Sequence, residues 1–479
     1  MKNRIIVGII LGLAYMVFIA SVPHKYIRTQ GMETDLVMTY IPAAEKFNSL
    51  LTGEYNLYEA MRDPFNLHGI GYSAVLWFVG QFGYTEKPGW EYFIASKWIS
   101  MLSAGAVIAL AVIWLGIFPG IISAVALGLS ALFFELSYSG CTDMFALALG
   151  LWAAYLIVKK KPLWAGVLLG FVCCFRYEYF IFAPFFVWYL WQTKRPFWVS
   201  NGWWKFVLPL AVLMTINFSI AGFSTGGYTN TILHYLNGEK QPDEFVMGLM
   251  EEYPTTLSVI MADPVNTLRI FARDTISAFR GIGFIQVWPV LFLGGVLMLG
   301  RMPLPLLIGI LVHFIVVAFS ALHWETIRYF LPEIALMIFL GSVWLSGLRV
   351  RRWLIVLAVL PSMLIHIGSL SGMVNSQKGR SAEIYLPLAQ GVNSDDVILS
   401  VRPQVSFMLG CKWKYWEPEM DVTDPVLWEN VDYLLWDGFS SFHRIEWRET
   451  FSKIELFEKY FDGYFYDQRV GILCKLKQP

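Results

Sequence analysis

The sequence predicts an all-α polytopic membrane bundle of about eleven transmembrane helices, followed by a small C-terminal external α/β domain. Hydrophobic residues make up 56% of the 479 residues, and the mean hydropathy is +0.53. Charged residues make up only 15%, against about 25% in soluble proteins. Lys plus Arg and Asp plus Glu number 36 each, so the charge balance gives no sign of a nucleic-acid partner.

Eleven apolar segments support the bundle. Backbone groups in lipid have no water to bond, so each segment is expected to be a helix. They are 4–22, which we interpret as a retained signal anchor, then 93–115, 117–134, 141–158, 162–175, 178–193, 205–222, 276–299, 303–322, 329–347 and 352–370. The segment 69–84 contains four glycines and is short for a span, so we interpret it as a helix in or dipping into the outer leaflet.

Basic residues in short loops predict the orientation, because such loops stay cytoplasmic. They are Lys2 and Arg4, Lys159 to Lys161, Lys194 and Arg195, Arg301, and the arginines at 349, 351 and 352. The N-terminus is then cytoplasmic, most simply in a cell membrane. The transmembrane domain covers 1–370, with external loops 23–92 and 223–275.

The external C-terminal domain is predicted at 371–479. Short β-like runs, "DVILSV", "VDYLLW", "KIELFEKY" and "GILCKL", are separated by acidic and aromatic stretches such as "CKWKYWEPEMDVTDP". Cys411 and Cys474 fall in this domain, and the sequence leaves their pairing open. In loop 223–275, apolar spacing in the second half favours an ordered lid. Loop 23–92 contains two amphipathic pieces of the kind that lie at a membrane interface.

Charged residues gather at helix ends on the predicted outer face. They are Asp143 in "SYSGCTDMF", Arg176 and Glu178 in "CCFRYEYF", and His323, Glu325 and Arg328 in "LHWETIRYFLPEIAL". Charge at such positions is costly unless a partner or a substrate compensates. Each group also has a structural explanation: Arg328 would snorkel, Arg176 and Glu178 would form a helix-capping ion pair, and Asp143 would be an N-cap. Asp35 and Glu33 would be solvated loop acids.

Several stretches resemble polyprenyl-phosphate-sugar-dependent glycosyltransferases with the GT-C fold, the group that includes protein mannosyltransferases and lipid A aminoarabinose transferases. The spacing of Asp35, Tyr40, Ala44, Gly53 and Tyr58 is similar to their first external loop. "TDMFALALGLWAAYLI", "FRYEYF" and "IRYFLPEIALMIF" are similar to their later motifs. The chain departs from many relatives because its second acid, Glu33, precedes Asp35 instead of following it, and "NLHGIGY" keeps only His68 of a His-Pro-Pro motif.

The resemblance implies transfer of a hexose-type sugar from a polyprenyl phosphate to an acceptor. Asp35 would be the base that takes the proton of the acceptor hydroxyl, with Glu33 as the second acid. Arginine suits the phosphate leaving group, so Arg328, Arg176, Tyr329 and His323 would bind the donor phosphate. The residues that would position substrate or metal are Asp143, Glu178, Tyr40 and His68.

Several points stay open at this stage. Asp143 would either bind a divalent cation, Mg²⁺ or Mn²⁺, together with Asp35, or position the acceptor. The acceptor would be a glycan, a lipid or a protein, and membrane lipids are expected partners. Two further classes remain: an O-antigen-type polymerase or ligase acting on lipid-linked glycans, and a polytopic transporter. A transporter would carry charged or broken-helix features at the bilayer midplane, and the acids here cluster at one surface.

Overall fold

The computed structural model describes most of the helical part of the chain and part of its C-terminal region. The described residues are 2–21, 36–52, 69–83, 89–193, 203–221, 256–320, 324–377, 391–400, 404–415, 429–437, 461–467 and 471–476. The predicted piece "NLYEAM", the strand-like run "KIELFEKY" and residues 223–255 of the predicted lid loop lie outside them. Contacts divide the chain into two compact units, which are described separately below.

The first unit comprises Met1–Val22, Phe65–Tyr72 and Lys97–Met373 and is helical. Its helices, including three shared with the second unit, are α1 (Lys2–Ser21), α3 (Gly71–Gly80), α4 (Trp90–Leu115), α5 (Ile117–Leu129), α6 (Ala131–Leu136), α7 (Thr142–Val158), α8 (Pro162–Cys173), α9 (Phe182–Thr193), α10 (Trp204–Ala221), α11 (Thr256–Ala262), α12 (Pro264–Arg280), α13 (Pro289–Leu299), α14 (Leu304–Ser320), α15 (Leu331–Gly347) and α16 (Arg352–Gln377). Two 3₁₀ turns, Tyr177–Ile181 and Trp324–Phe330, precede α9 and α15.

Among the described residues, four helices are long and apolar enough to cross a membrane. They are Lys2–Ser21, Trp90–Leu115, Ile327–Gly347 and Arg352–Ser371. Seven shorter apolar helices of 10–17 residues accompany them, and one of these is Gly71–Gly80 of the ambiguous segment. A complete crossing of the roughly 30 Å hydrocarbon core needs a helix of about 20 residues. Because the seven other apolar helices are shorter than this, the number of complete crossings stays a prediction.

The predicted span 276–299 is two helices separated by a π-helical turn. Helix α12 ends at Arg280, the π turn covers Gly281–Gln286, and α13 begins at Pro289. Proline lacks a backbone N–H and fits the first turn of a helix, which explains the restart at this position. The prediction missed the boundary because the apolar composition continues across it.

The predicted span 117–134 is also broken, at Ser130. This residue ends α5 and begins α6 with an extended ψ of 124°. The side-chain oxygen of Gln286 accepts hydrogen bonds from Ser130 Oγ at 2.9 Å and from the backbone N–H of Leu132 at 3.0 Å. An N–H group at a buried helix start needs such a partner, so Gln286 stabilises the break.

The second unit comprises Pro23–Pro64, Ser73–Ser96 and Val374–Pro479. A π turn, Leu36–Tyr40, leads into α2 (Ile41–Thr52). The strands β1 (Val397–Ser400), β2 (Lys412–Tyr415), β3 (Tyr433–Asp437), β4 (Phe461–Asp467) and β5 (Gly471–Leu476) form one mixed sheet in the order β2-β1-β3-β5-β4. β1 is parallel to β2 and β3, and β5 is antiparallel to β3 and β4.

Helix α17 (Gln404–Leu409) packs against the first turn of α4 within this unit. The rings of Trp90 and Phe407 stack at 5.8 Å, and Trp90 Nε1 donates to the Phe407 carbonyl at 3.2 Å. "KWKY", which the sequence placed between strands, is the edge strand β2. Cys411 is a buried free thiol directed at the Ser406 carbonyl at 3.6 Å, which excludes a disulfide to Cys474 in this structure.

Close helix packing in the first unit depends on Gly341 of α15. A Cβ at this position would overlap the Leu291 carbonyl oxygen of α13. Gly347, at the end of the same helix, has nothing within 4 Å of the corresponding position. Small residues let membrane helices approach this closely.

We expect Gly341→Ala to lower the apparent melting temperature of the purified protein, because the helices must move apart or shift. Gly347→Ala is the matched control and should leave it unchanged or slightly higher, since alanine favours helix over glycine by about 1 kcal/mol. The measurement is thermal unfolding of both variants in the same detergent. An equal effect of the two changes would show that the close approach at Gly341 does not limit stability.

A second prediction concerns Glu45 in α2, whose side chain is buried. Burial and then the nearby charge of Glu91 raise the pKa of Glu45 to about 8. The Glu45 carboxyl binds its proton more tightly in the folded state than in the unfolded state. It therefore lowers the free energy of unfolding by a growing amount as pH rises from about 4.5 to 8. Replacing it with glutamine removes that cost, so the melting-temperature gain of Glu45→Gln should grow over this pH interval. A gain that does not change with pH would contradict the assignment.

Candidate functional site

Arg176 lies at the turn between α8 and α9, and its partners in the described part of the chain include Asp143, Thr142 and Glu178. Its Nη2 donates to Asp143 Oδ1 at 2.6 Å, its Nε donates to Thr142 Oγ1 at 2.9 Å, and its Nη1 lies 3.6 Å from Glu178 Oε1. Asp143 is in the first turn of α7, where the helix dipole favours a negative charge. These contacts fix the guanidinium plane in a largely buried position.

The structure tests two of the structural explanations, an N-cap role for Asp143 and an ion pair between Arg176 and Glu178. Asp143 is not an N-cap, because Cys141 occupies that position and Asp143 lies inside the helix. An Arg176–Glu178 ion pair is present, but the contact of Arg176 with Asp143 is about 1 Å shorter. Among the described residues, no group is within hydrogen-bond reach of Asp143 Oδ2, although this oxygen is buried. One carboxylate oxygen is therefore open to a further donor or cation.

Arg176 and Arg328 share one aromatic ring. Their Cζ atoms lie 5.0 Å and 5.1 Å from the centroid of the Tyr329 ring, and Arg328 Nη2 donates to Tyr329 Oη at 3.2 Å. A guanidinium over an aromatic face is stabilised by about 0.5–2 kcal/mol. The Tyr329 side chain thus brings together two cations that lie 152 positions apart in the chain, one directly before a 3₁₀ turn and the other within one.

The segment before α3 supports the Arg176 turn from another side. Asn217 of α10 accepts from the Ile70 backbone N–H at 3.0 Å and donates to Tyr177 Oη at 3.1 Å. Gly69 has a φ of +69°, and a Cβ there would overlap the Cys174 carbonyl oxygen. Only glycine satisfies both requirements, so the segment that begins at Gly69 packs directly on the turn that carries Arg176.

A buried lysine lies behind the start of α7, and the sequence analysis missed it. The Nζ of Lys97 in α4 donates to the Ser139 carbonyl at 3.4 Å, four residues before Asp143. A lysine inside the apolar run 93–115 was a visible signal, because charges within spans are expensive and often functional. Thr142, the other missed contact, carries no charge and gave no comparable signal.

The structure brings five of the ten predicted site residues together. Asp143, Arg176, Glu178, Arg328 and Tyr329 form the cluster described above, which we call the arginine cluster. Tyr40 is buried in the π turn of the second unit. Glu33, Asp35, His68 and His323 lie outside the described residues, so their placement stays a prediction.

Comparisons with known proteins identify the fold. No family model and no curated protein sequence matches this chain. The crystal structure of ArnT from Cupriavidus metallidurans in the apo state matches with a TM-score of 0.58 and 12% identity, over 99% of this chain and 98% of that one. The structure of the same protein bound to undecaprenyl phosphate matches with a TM-score of 0.56 and 12% identity, over 97% of each chain.

ArnT is an aminoarabinose transferase with the GT-C fold, and the similarity extends over nearly the whole of both chains. At 12% identity the match establishes the fold. It confirms the predicted polytopic helical bundle with a small sheet domain, while the number of spans stays a prediction. The chain is therefore a multi-pass membrane protein with the GT-C fold.

Proposed function

We propose that this protein is a glycosyltransferase that moves a hexose-type sugar from a polyprenyl-phosphate donor to an acceptor hydroxyl on the external face of the membrane. The observation that carries the proposal is the arginine cluster, in which Arg176 and Arg328 meet at one tyrosine ring. The GT-C fold supports it, and a structure of ArnT with that fold contains undecaprenyl phosphate. The acceptor is a glycan, a lipid or a protein.

The leaving group of this reaction is a lipid phosphate, whose negative charge grows as the glycosidic bond breaks. Preorganised cations at that position lower the barrier, and an arginine fork matches two phosphate oxygens. Arg328 is the principal candidate, because its guanidinium group contacts both the ring and the hydroxyl group of Tyr329, which orient it. Arg176 is already bonded to Asp143, and it is the second guanidinium group in contact with the Tyr329 ring.

The acceptor needs a base, and Asp35 with Glu33 is our candidate from the sequence. A carboxylate takes the proton of a hydroxyl efficiently when it lies within hydrogen-bond reach. Asp143 has a second role, since its Oδ2 is buried and open while Oδ1 is held by Arg176. A sugar or acceptor hydroxyl that donates to Oδ2 would be oriented and would satisfy that oxygen.

A divalent cation, Mg²⁺ or Mn²⁺, remains part of the proposal only as an ion that Asp143, Asp35 and Glu33 would hold together. Such ions take six or more oxygen ligands, often including water. Within the described residues, no three His, Cys, Asp or Glu side chains are grouped closely enough to hold a metal. Asp143 Oδ2 would supply one ligand, and Asp35 and Glu33 would have to supply the others. We derive no catalytic step through a metal.

The proposed orientation follows the basic residues of the short loops, which place the N-terminus in the cytoplasm. Arg176 directly precedes one 3₁₀ turn and Arg328 lies within the other, both at helix ends, as expected for groups at a membrane surface. A long polyprenyl chain would stay in lipid while its phosphate reaches this surface. The C-terminal sheet domain would then be external.

We expect Arg328→Gln to weaken binding of undecaprenyl phosphate by about 10- to 100-fold, because a charged hydrogen bond is worth about 1.5–3 kcal/mol. Arg352→Gln is the matched control: Arg352 also lies over an aromatic ring, that of Phe118 at 5.1 Å, but on another helix end. Affinity is measured with purified protein in nanodiscs. Equal affinities for Arg328→Gln and wild type would remove Arg328 from the phosphate site.

We expect the wild type to transfer radiolabelled hexose from at least one member of a panel of polyprenyl-phosphate sugars to membrane acceptors. Asp35→Asn should reduce turnover by about 10²- to 10⁴-fold, because it removes the base. Unchanged binding of undecaprenyl phosphate shows that the variant is folded. Full activity in the variant would move the base elsewhere. No turnover of any donor by folded wild type would favour the polymerase, ligase or transporter interpretation.

A further inference from the structure

A histidine and a glutamate form a buried pair between two apolar helices. His313 of α14 and Glu333 of α15 are joined by a 2.7 Å contact between Nδ1 and Oε1, and their exposed fractions are 0% and 4%. Ionisable side chains inside membrane helices are rare and costly. The proposed reaction, as described above, leaves this pair without a role.

Glu333 lies close in sequence to the second arginine of the cluster. It is in the first turn of α15, directly after the 3₁₀ turn Trp324–Phe330. Arg328 and Tyr329 are on that turn, five and four residues before Glu333. A hydrogen bond that fixes the start of α15 therefore also limits how the Arg328 turn can rotate or slide.

His313 packs against the 3₁₀ turn that follows Arg176. Its ring stacks on Phe182 at 4.8 Å and meets the edge of Tyr179 at 6.0 Å. Tyr179 belongs to the 3₁₀ turn Tyr177–Ile181, which begins directly after Arg176, and Phe182 is the first residue of α9. The Tyr179 ring is itself confined, because a Cβ at Gly150 of α7 would lie 2.5 Å from its Cε1 atom. Movement of the His313 ring would therefore displace this turn.

We propose that His313 and Glu333 are positioning residues, and that their hydrogen bond sets the spacing between Arg176 and Arg328. Both guanidinium groups contact the Tyr329 ring, and a change in register between the two turns would separate them. The purpose of that spacing, recognition of a lipid phosphate by two cations, rests on the proposed function. The mechanical link between the turns does not.

The chemistry of the pair supports positioning over simple stabilisation. Among the described residues, His313 Nε2 and Glu333 Oε2 have no hydrogen-bond partner. Apolar side chains of similar volume often replace a buried ionic pair with little loss of stability or with a gain. A directional hydrogen bond instead specifies one relative placement of α14 and α15. Residues that orient metal ligands by such hydrogen bonds typically change metal affinity or activity by about 10- to 100-fold when they are mutated, and we expect a comparable effect on the two arginines.

The test uses the full-length protein in nanodiscs and two readouts. His313→Leu and Glu333→Leu, combined in one protein so that no buried partner is left unpaired, should speed amide hydrogen exchange at residues 176–181 and 324–330 by at least tenfold, with little change at 142–158. The same double variant should weaken binding of undecaprenyl phosphate about tenfold. His313→Asn and Glu333→Gln keep a polar atom near the bonded position and should restore part of both losses.

His366→Leu is the matched control. His366 is another buried histidine of a long apolar helix, and its Nδ1 contacts the Ser362 carbonyl of the same helix at 2.9 Å. This change should alter neither turn selectively. Unchanged exchange at both turns in the His313 and Glu333 variants would overturn the inference, as would a uniform rise like that of a general loss of stability.

The two proposals fail in different ways. If the wild type binds no polyprenyl phosphate, the proposed function is wrong, while the exchange data still decide whether the pair links the turns. If the wild type binds the lipid and the double Leu variant binds it equally well, the function stands and the positioning role is wrong.

Discussion

The ion pair between Arg176 and Asp143 is the interaction on which the rest of the cluster depends. Both side chains are largely buried, with 11% and 3% of their surfaces exposed. Removing one partner of such a pair leaves an uncompensated charge, which costs about 3–5 kcal/mol. The pair also ties the start of α7 to the turn between α8 and α9. Gly69 and Asn217 pack against the same turn, so four separate segments meet at the turn that carries Arg176.

The apolar helices place this polar chemistry where it can be sustained. A charge in the middle of a bilayer is expensive, whereas a charge at a helix end can reach water and headgroups. Arg176 directly precedes the 3₁₀ turn before α9, and Arg328 lies within the 3₁₀ turn before α15. The short helices of 10–17 residues around them are held by tertiary packing, as the close approach at Gly341 illustrates. Stability and function therefore share the same helix contacts.

The sequence was sufficient to predict the helical bundle because apolar runs are long and distinct. It also drew attention to Asp143, Arg176, Glu178 and Arg328, since charged groups at the ends of apolar runs stand out, and to Tyr329, which follows Arg328. Composition could not show that Gln286 caps a break at Ser130, because that contact joins positions 156 apart. The edge strand "KWKY" was missed because alternating lysines and aromatics have no continuous apolar signal. His313 and Glu333 were visible as ionisable residues within predicted spans, but only the fold shows that they form a pair.

The account depends most on the claim that the two arginines at Tyr329 bind a lipid phosphate. The most direct measurement is an experimental structure of the protein in nanodiscs with undecaprenyl phosphate. The account predicts a phosphate within about 3 Å of the Arg328 guanidinium, the range of a charged hydrogen bond, with Arg176 on the same side. A lipid phosphate bound elsewhere, with both arginines still packed on the Tyr329 ring, would contradict it.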